Sequence, residues 1–276
     1  MKHLFQAKNY SLGGVKDKLR VFLALNTLLV KSTFSSNPTE LVKVRLLGYA
    51  VEGICYDSLL ILFREMFIEK QYFFKADNNS PFIIDGGSNI GMSILFFKMV
   101  YPESRIIGFE PNPKIFQILQ RNINNNNLRN VELHNCALTD SNQSIDFHFD
   151  LSGSLVGSTF EQRGGGVKTT VTGLLLSDFI DEPEKVDFIK LDIEGGEISV
   201  VNDLVVKNKL RGIRQLAIEY HHNMKGIDHS LSDFLNVFES NGFSYNVSAS
   251  DTPRNGKFQD ILVRLYGTNS KLNTNS

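Results

Sequence analysis

Five short apolar runs, spaced along one half of the chain, decide what it can fold into. FIIDGG leads into the helix-like MSILFFKMV, RIIGFE leads into KIFQILQRNINNN, and VELHNCAL, DFIKLDIEGG and IRQLAIEYHH follow in order. Apolar strands alternating with helical stretches require parallel βαβ crossovers, hence an α/β fold with a doubly wound sheet and helices on both faces. The helical stretch LSDFLNVFES then precedes two last strands, FSYNV and KFQDILVRLY. The gap between those two is too short for a crossover, so the spacing predicts an antiparallel pair.

The rest of the chain has a different texture. Residues 1–44 mix a basic helix-like stretch with a turn-rich break at Ser35, Ser36, Asn37 and Pro38. An extended run from Arg45 to Ala50 follows, then DSLLILFREMFIEKQYFF, whose Leu59, Leu62, Phe63, Met66 and Phe67 recur at the spacing of a buried helix face. Residues 1–80 are thus expected to form an N-terminal, mainly helical extension for the acceptor pocket or oligomer contacts, ahead of a sheet domain over 81–267. The tail 268–276, TNSKLNTNS, reads as disordered. VFLALNTLLV falls short of the ~20 apolar residues that span a bilayer. Because Lys16, Lys18, Arg20 and Lys31 flank it, 16–31 suits a helix docked on the main domain or on a second copy in a homo-oligomer, with peripheral membrane contact as the alternative. The RGGG stretch at 163–166 reads as a mobile loop or hairpin near the substrate.

Lys+Arg 29 against Asp+Glu 30 leaves a net charge of -1, which makes no electrostatic case for nucleic acid. Cys55 and Cys136 form no CxxC pair and suit reduced, packed thiols in a cytoplasmic protein.

Four of the five core runs carry an acid in their terminal segment: Asp85, Glu110, Asp192 and Glu219. Ligands of open α/β sheets bind beyond the carboxyl ends of the strands, so these acids converge on one rim. Asp85-Gly86-Gly87-Ser88-Asn89-Ile90-Gly91 lacks the GxGxxG spacing of dinucleotide binders and the Lys-Ser/Thr of a P-loop. An acid directly before the glycines disfavours a pyrophosphate and suits a cation. Glu110 stands where a carboxylate accepts from ribose hydroxyls. A cofactor with a ribose, a cationic end and no diphosphate is S-adenosylmethionine.

In order and spacing, FIIDGGSNIGMS, GFEPNPKIF, NVELHNCALTD, DFIKLDIEGGE and the strand ending IEYHH resemble the FkbM-type family of class I S-adenosylmethionine-dependent methyltransferases. The resemblance spans roughly half the chain, 81–222. It implies a Rossmann-like, seven-stranded methyltransferase sheet with the last strand antiparallel. Asp85, Gly86, Gly87, Ser88, Asn89 and Gly91 would surround the methionine part, and Glu110, with Pro111 and Asn112, the ribose. Asn135 and Ala137 would lie along the adenine edge. The family pattern more often has Ala at 87 or 88, a difference between small residues that poses no threat to binding. The implied reaction is O-methylation of a small-molecule or glycan acceptor: a sugar, a glycan or a glycosylated natural product.

Methyl transfer from a sulfonium is an in-line displacement in which positive charge disappears, so acids help by orienting and deprotonating the acceptor hydroxyl. Asp192, which also belongs to the cofactor set, Glu219 and His221 are the candidate catalytic residues; Glu219 and His221 share a strand face if the strand runs that far. In one reading His221 or Asp192 is the base. In the other, Asp192, Glu219 and His221 hold a divalent metal that acidifies the hydroxyl. Glu194 and Glu197 also suit a helix N-terminus. An amine acceptor, a cofactor-binding module without catalysis, and a nicotinamide-dependent oxidoreductase are the rival functions; the glycine spacing disfavours the last.

Overall fold

The computed structural model describes residues 15–35, 37–149, 157–159, 166–181, 185–221, 230–249 and 260–267. Its centre is a seven-stranded sheet. The parallel strands are β3 (Phe82–Gly86), β4 (Arg105–Phe109), β5 (Val131–His134), β10 (Phe188–Leu191) and β11 (Gln215–His221). At one edge lie β12 (Ser244–Ala249) and β13 (Asp260–Tyr266), giving the order β12-β13-β11-β10-β3-β4-β5. β13 is antiparallel to both β11 and β12, as the short connection requires. Strand order reverses between β3 and β10, which opens a crevice at their carboxyl ends.

Alternation along the strands divides the core in two. Ile83, Ile106 and Phe188 face α3 (Met92–Val100), α4 (Pro113–Asn125) and the N-terminal elements. Ile84, Ile107, Ile189 and Ile218 face α5 (Glu197–Val206) and α6 (Leu231–Ser240). α4 starts where Asn112 Oδ1 accepts from Lys114 N and Ile115 N, with Pro113 at the first turn.

The N-terminal part joins the first of these cores. Helix α1 (Val15–Phe34) buries Val21, Ala24, Leu25 and Leu28 at three-to-four spacing and leaves Leu19, Leu23 and Val30 exposed. Among the described residues no helix is long and apolar enough to cross a membrane. The predicted extended run at 45–50 is instead the turn of a hairpin: β1 (Leu41–Leu46) and β2 (Tyr49–Ile54) meet through Leu47 and Gly48, both at positive φ. α4 grips that hairpin with amide side chains one turn apart. Asn122 exchanges two bonds with the Glu52 backbone and Asn126 two with that of Ala50, in the manner of a neighbouring strand.

The single helix predicted from Asp57 to Phe74 is also shorter. α2 (Tyr56–Phe63) passes into a π-helical turn, Arg64–Glu69, stopped by Lys70 at φ 53. Phe67 of that turn packs edge-on against Phe96 of α3 at 5.4 Å.

VELHNCAL is not one strand. β5 ends at His134, and β6 (Ala137–Thr139) leaves the main sheet to pair with β9 (Val167–Leu175). Asn135 makes the break, its amide donating to the carbonyls of Glu110 and Pro111. With β7 (Ser144–Phe149) and β8 (Gly157–Ser158) these strands form a second sheet, β6-β9-β7-β8. The loop predicted over 163–166 falls outside the described residues except for Gly166, as do the 268–276 tail and His222.

Candidate active site

A cavity of about 380 Å³ opens over the carboxyl ends of the strands, at the reversal of strand order. Gly87, Glu110, Lys190, Asp192 and Glu219 form its floor. Cys136, Ala137 and Leu138 form one wall. Leu62, Glu65 and Met66 come in from α2 and the π-helical turn, and Phe147, Gly157 and Thr159 from the second sheet.

On the β3–β4 side the backbone fixes a turn. Gly87 N and Ser88 N both donate to Phe109 O, at 3.0 and 2.8 Å. Gly87 has φ +76, and a Cβ there would stand 1.9 Å from the carbonyl oxygen of Asp192, so only glycine lets the turn approach β10. Glycine at 87 is thus the residue this turn requires, since Ala would meet backbone there. Gly91 also has positive φ and starts α3.

Glu110 is buried at the end of β4, where Oε2 accepts from Asn89 N at 2.9 Å and Oε1 from Asn112 N at 2.8 Å. Burial pushes its carboxyl up to about 7 against the pull of those two amides. Pro111, Asn112, Ser88, Asn89 and Ala137 line the cavity around it. Four residues expected around the cofactor are absent from the lining: Asp85, Gly86, Gly91 and Asn135. Asn135 braces the Glu110 and Pro111 carbonyls, and Asp85 is wholly buried beneath the turn, accepting from Ser93 Oγ at 2.6 Å.

The residue that answers Asp85 is one the sequence analysis missed. Lys190 of β10, 2% exposed, has Nζ 3.4 Å from Asp85 Oδ1 and 3.6 Å from Asp192 Oδ2. It donates to the Gly86 and Gly87 carbonyls and lies 5.0 Å over the Tyr72 ring. Burial opposes its charge, but Asp85, Asp192 and Glu219 outweigh it, so Lys190 is held as ammonium. A lysine inside an apolar central strand demands buried anions, and that signal was present in FIKLD.

Asp192 and Glu219 end neighbouring strands and meet at a second unforeseen residue. Tyr72 Oη lies 3.3 Å from Asp192 Oδ2 and 3.0 Å from Glu219 Oε2. Burial raises both carboxyls: Glu194 and Glu197 add to it at Asp192 against the pull of Lys190 and His221, and Asp192 adds to it at Glu219, which reaches about 7. Glu65 faces the same cavity, pushed up to about 8 by burial and by Asp192 and Glu219.

β11 does persist to His221, so Glu219 and His221 share a face. His221 is fully buried and lies outside the cavity lining. Nδ1 is 2.8 Å from Glu197 Oε1 and Nε2 is 3.1 Å from Glu194 Oε2. Burial disfavours its charge, yet the two carboxylates hold its pKa well above the usual histidine range. Glu197, the first residue of α5, also accepts from Ile193 N and Gly195 N.

Asp192, Glu219 and His221 each offer a ligand atom within 4.8 Å of the others. The set does not fit a divalent metal as it stands. A ligating imidazole must present a lone pair, whereas both nitrogens of His221 face carboxylates. Asp192 and Glu219 are themselves engaged by the Tyr72 hydroxyl and, for Asp192, by the Lys190 ammonium.

A sheet of this order, parallel except for β13 and carrying an acid-floored cavity at its switch point, defines a Rossmann-like methyltransferase fold. The Methyltransferase FkbM domain matches residues 85–245, more than half of the chain. The chain belongs to the FkbM methyltransferase family. It is 31% identical to Methyltransferase 1 of Beauveria bassiana (strain ARSEF 2860) over 162 residues, covering 51% of this chain and 65% of the relative. It is 29% identical to Methyltransferase sdnD of Sordaria araneosa, covering 60% of this chain and 76% of that one. It is 26% identical to 2-O-methyltransferase NoeI of Sinorhizobium fredii (strain NBRC 101917 / NGR234), covering 49% and 61%. The chain thus spans less than two thirds of the first and third relatives' own lengths.

Proposed function

We propose that this chain binds S-adenosylmethionine and transfers its methyl group to a hydroxyl of a sugar, a glycan or a glycosylated natural product. The observation that carries the reading is a single cavity with Glu110 on one side and the Asp192–Glu219 pair on the other. Glu110 would take the ribose hydroxyls, beside the turn from Gly87 to Asn89, and Ala137 would meet the adenine edge. The sulfonium methyl would then point toward Asp192. In the transfer the carbon–sulfur bond breaks as the carbon–oxygen bond forms, and the hydroxyl proton passes to a carboxylate. Positioning supplies ~7–11 kcal/mol of such a reaction and a general base about 10²–10⁴-fold.

Asp192 fits the base better than His221. A histidine between two carboxylates is an imidazolium with no lone pair to offer. His221 instead stands behind the site, as the buried cation that balances Glu194 and Glu197. The name of the relative NoeI, a 2-O-methyltransferase, supports an oxygen acceptor.

A cytoplasmic location is proposed on the two free, buried thiols. Contact of 16–31 with a second copy or a membrane surface is proposed on the exposed Leu19, Leu23 and Val30.

The test is calorimetry with S-adenosylmethionine, then incubation of the full chain with methyl-labelled cofactor and a glycan extract, read by mass spectrometry. Binding in the micromolar range and a product heavier by one methyl are expected. Absence of cofactor binding would sink the proposal.

A further inference from the structure

Tyr72 raises a question of proton count. Its hydroxyl lies within donor distance of two carboxyl oxygens, Glu219 Oε2 at 3.0 Å and Asp192 Oδ2 at 3.3 Å. A phenol has one proton to give. Burial and the surrounding acids Asp192, Glu219 and Glu65 keep that proton on the oxygen. One proton shared between two carboxylates makes a weaker three-centre bond; both contacts are made in full when one carboxyl is protonated and donates to the tyrosine oxygen while the tyrosine donates to the other.

The charges around the pair choose which. Lys190 Nζ stands 3.6 Å from Asp192 Oδ2 and favours Asp192 as carboxylate. Among the described residues no lysine or arginine lies within ion-pair distance of Glu219; Asp192, Glu194 and Glu65 face it as acids and outweigh His221, the Tyr72 hydroxyl and the more distant Lys190, which act in the opposite sense. The Asp192 side chain is 28% exposed and lines the cavity, whereas Tyr72 is 1% exposed and is not among the lining residues.

We infer that Tyr72 is a positioning residue that holds Glu219 as the protonated acid and Asp192 as the free carboxylate. The inference rests on the methyl-transfer reading and adds to it the division of labour between the acids. Asp192 receives the acceptor's proton as the methyl carbon leaves sulfur for oxygen. The pair then carries one proton more than at rest, which leaves to solvent with the product. Tyr72 performs this from outside the sheet, 120 residues from Asp192 and 147 from Glu219 along the chain.

The test needs no acceptor at its first step. Carbon-13 carboxyl NMR of the full chain, labelled at Asp and Glu and assigned through Asp192→Asn and Glu219→Gln, should show at pH 6 a protonated Glu219 beside an ionised Asp192. Tyr72→Phe removes the bridge alone and should bring the titration midpoints of the two carboxyls closer together. Where methyl transfer is seen, Tyr72→Phe should lower kcat about tenfold or more at unchanged acceptor KM and cofactor affinity, with the acid limb of the pH profile moved upward. Glu219→Gln, whose amide can still donate to Tyr72, should lose less turnover than Asp192→Asn. A protonated Asp192 beside an ionised Glu219, or a Tyr72→Phe titration identical to wild type, overturns the inference. Failure of the wild type to bind S-adenosylmethionine overturns instead the reading beneath it.

Discussion

Lys190 and Asp85 stand opposite each other on adjacent parallel strands, with Nζ 3.4 Å from Oδ1 and both side chains sealed from solvent. The same ammonium reaches the Gly86 and Gly87 carbonyls and the Asp192 carboxylate, so one buried cation ties the glycine turn of β3 to the acid at the end of β10.

Removing one partner of such a pair leaves an uncompensated buried charge. Lys190→Met should cost about 3–5 kcal/mol of folding stability, and adding Asp85→Asn should restore much of it. Urea unfolding of the wild type, Lys190→Met, Asp85→Asn and the double variant measures both. A single variant as stable as wild type means that the pair contributes nothing net.

The two sides of the cavity should separate by kinetics. Glu110→Ala should raise the dissociation constant for S-adenosylmethionine about 10–100-fold, the worth of a charge-assisted hydrogen bond. Asp192→Asn should leave that constant within a few-fold and depress turnover by about 10²–10⁴. Unaltered affinity in the Glu110 variant would remove the ribose assignment.

Stability should fall on the alkaline side. Glu65 is raised to about 8, and Glu110 and Glu219 to about 7, each chiefly by burial. Between the unfolded value near 4.5 and these folded values, the native chain holds protons that the unfolded chain has released. Their stabilisation is therefore full at low pH and lost as pH rises through 7 to 8. His221, raised by its two carboxylates, acts with the same sign. Glu52, lowered by Lys43 and Arg121, has the opposite sign but titrates below this window. The melting temperature of the cofactor-free chain should drop from about pH 6 to about pH 8.5, and Glu65→Gln should flatten the drop. A flat or rising profile contradicts it.

Positions 87 and 88 should tolerate alanine very differently. Gly87→Ala drives a Cβ into the Asp192 carbonyl at positive φ and should cost more than ~3 kcal/mol or prevent folding. Ser88→Ala forfeits one 2.9 Å bond to the Asp85 carbonyl, worth about 1 kcal/mol. Soluble yield and thermal melts of the pair decide the matter.

The sheet could be read from the sequence because strand and helix periods alternate cleanly from Phe82 onward and each strand meets a neighbour of its own kind. Asp192 and Glu219 were found by the same logic, since an acid at the end of a parallel strand has one place to go. Tyr72 and Glu65 could not be, because long-range packing rather than spacing carries them to the rim. The helix pattern through Phe74 concealed the π-helical turn. His221 was visible as a residue but not in its state, which depends on Glu194, from the loop after β10, and Glu197, at the start of α5. The break in VELHNCAL depends on Asn135 finding carbonyls of another loop, a contact no local pattern encodes.

The hairpin grip of Asn122 and Asn126 has a further consequence. The matched family domain begins at residue 85, yet Glu65 and Tyr72 come from the chain before it, fastened to α4 through β2. The rim therefore joins strand-end carboxylates to residues from the chain before them, and substitutions in 56–72 reshape its mouth while those carboxylates stay untouched.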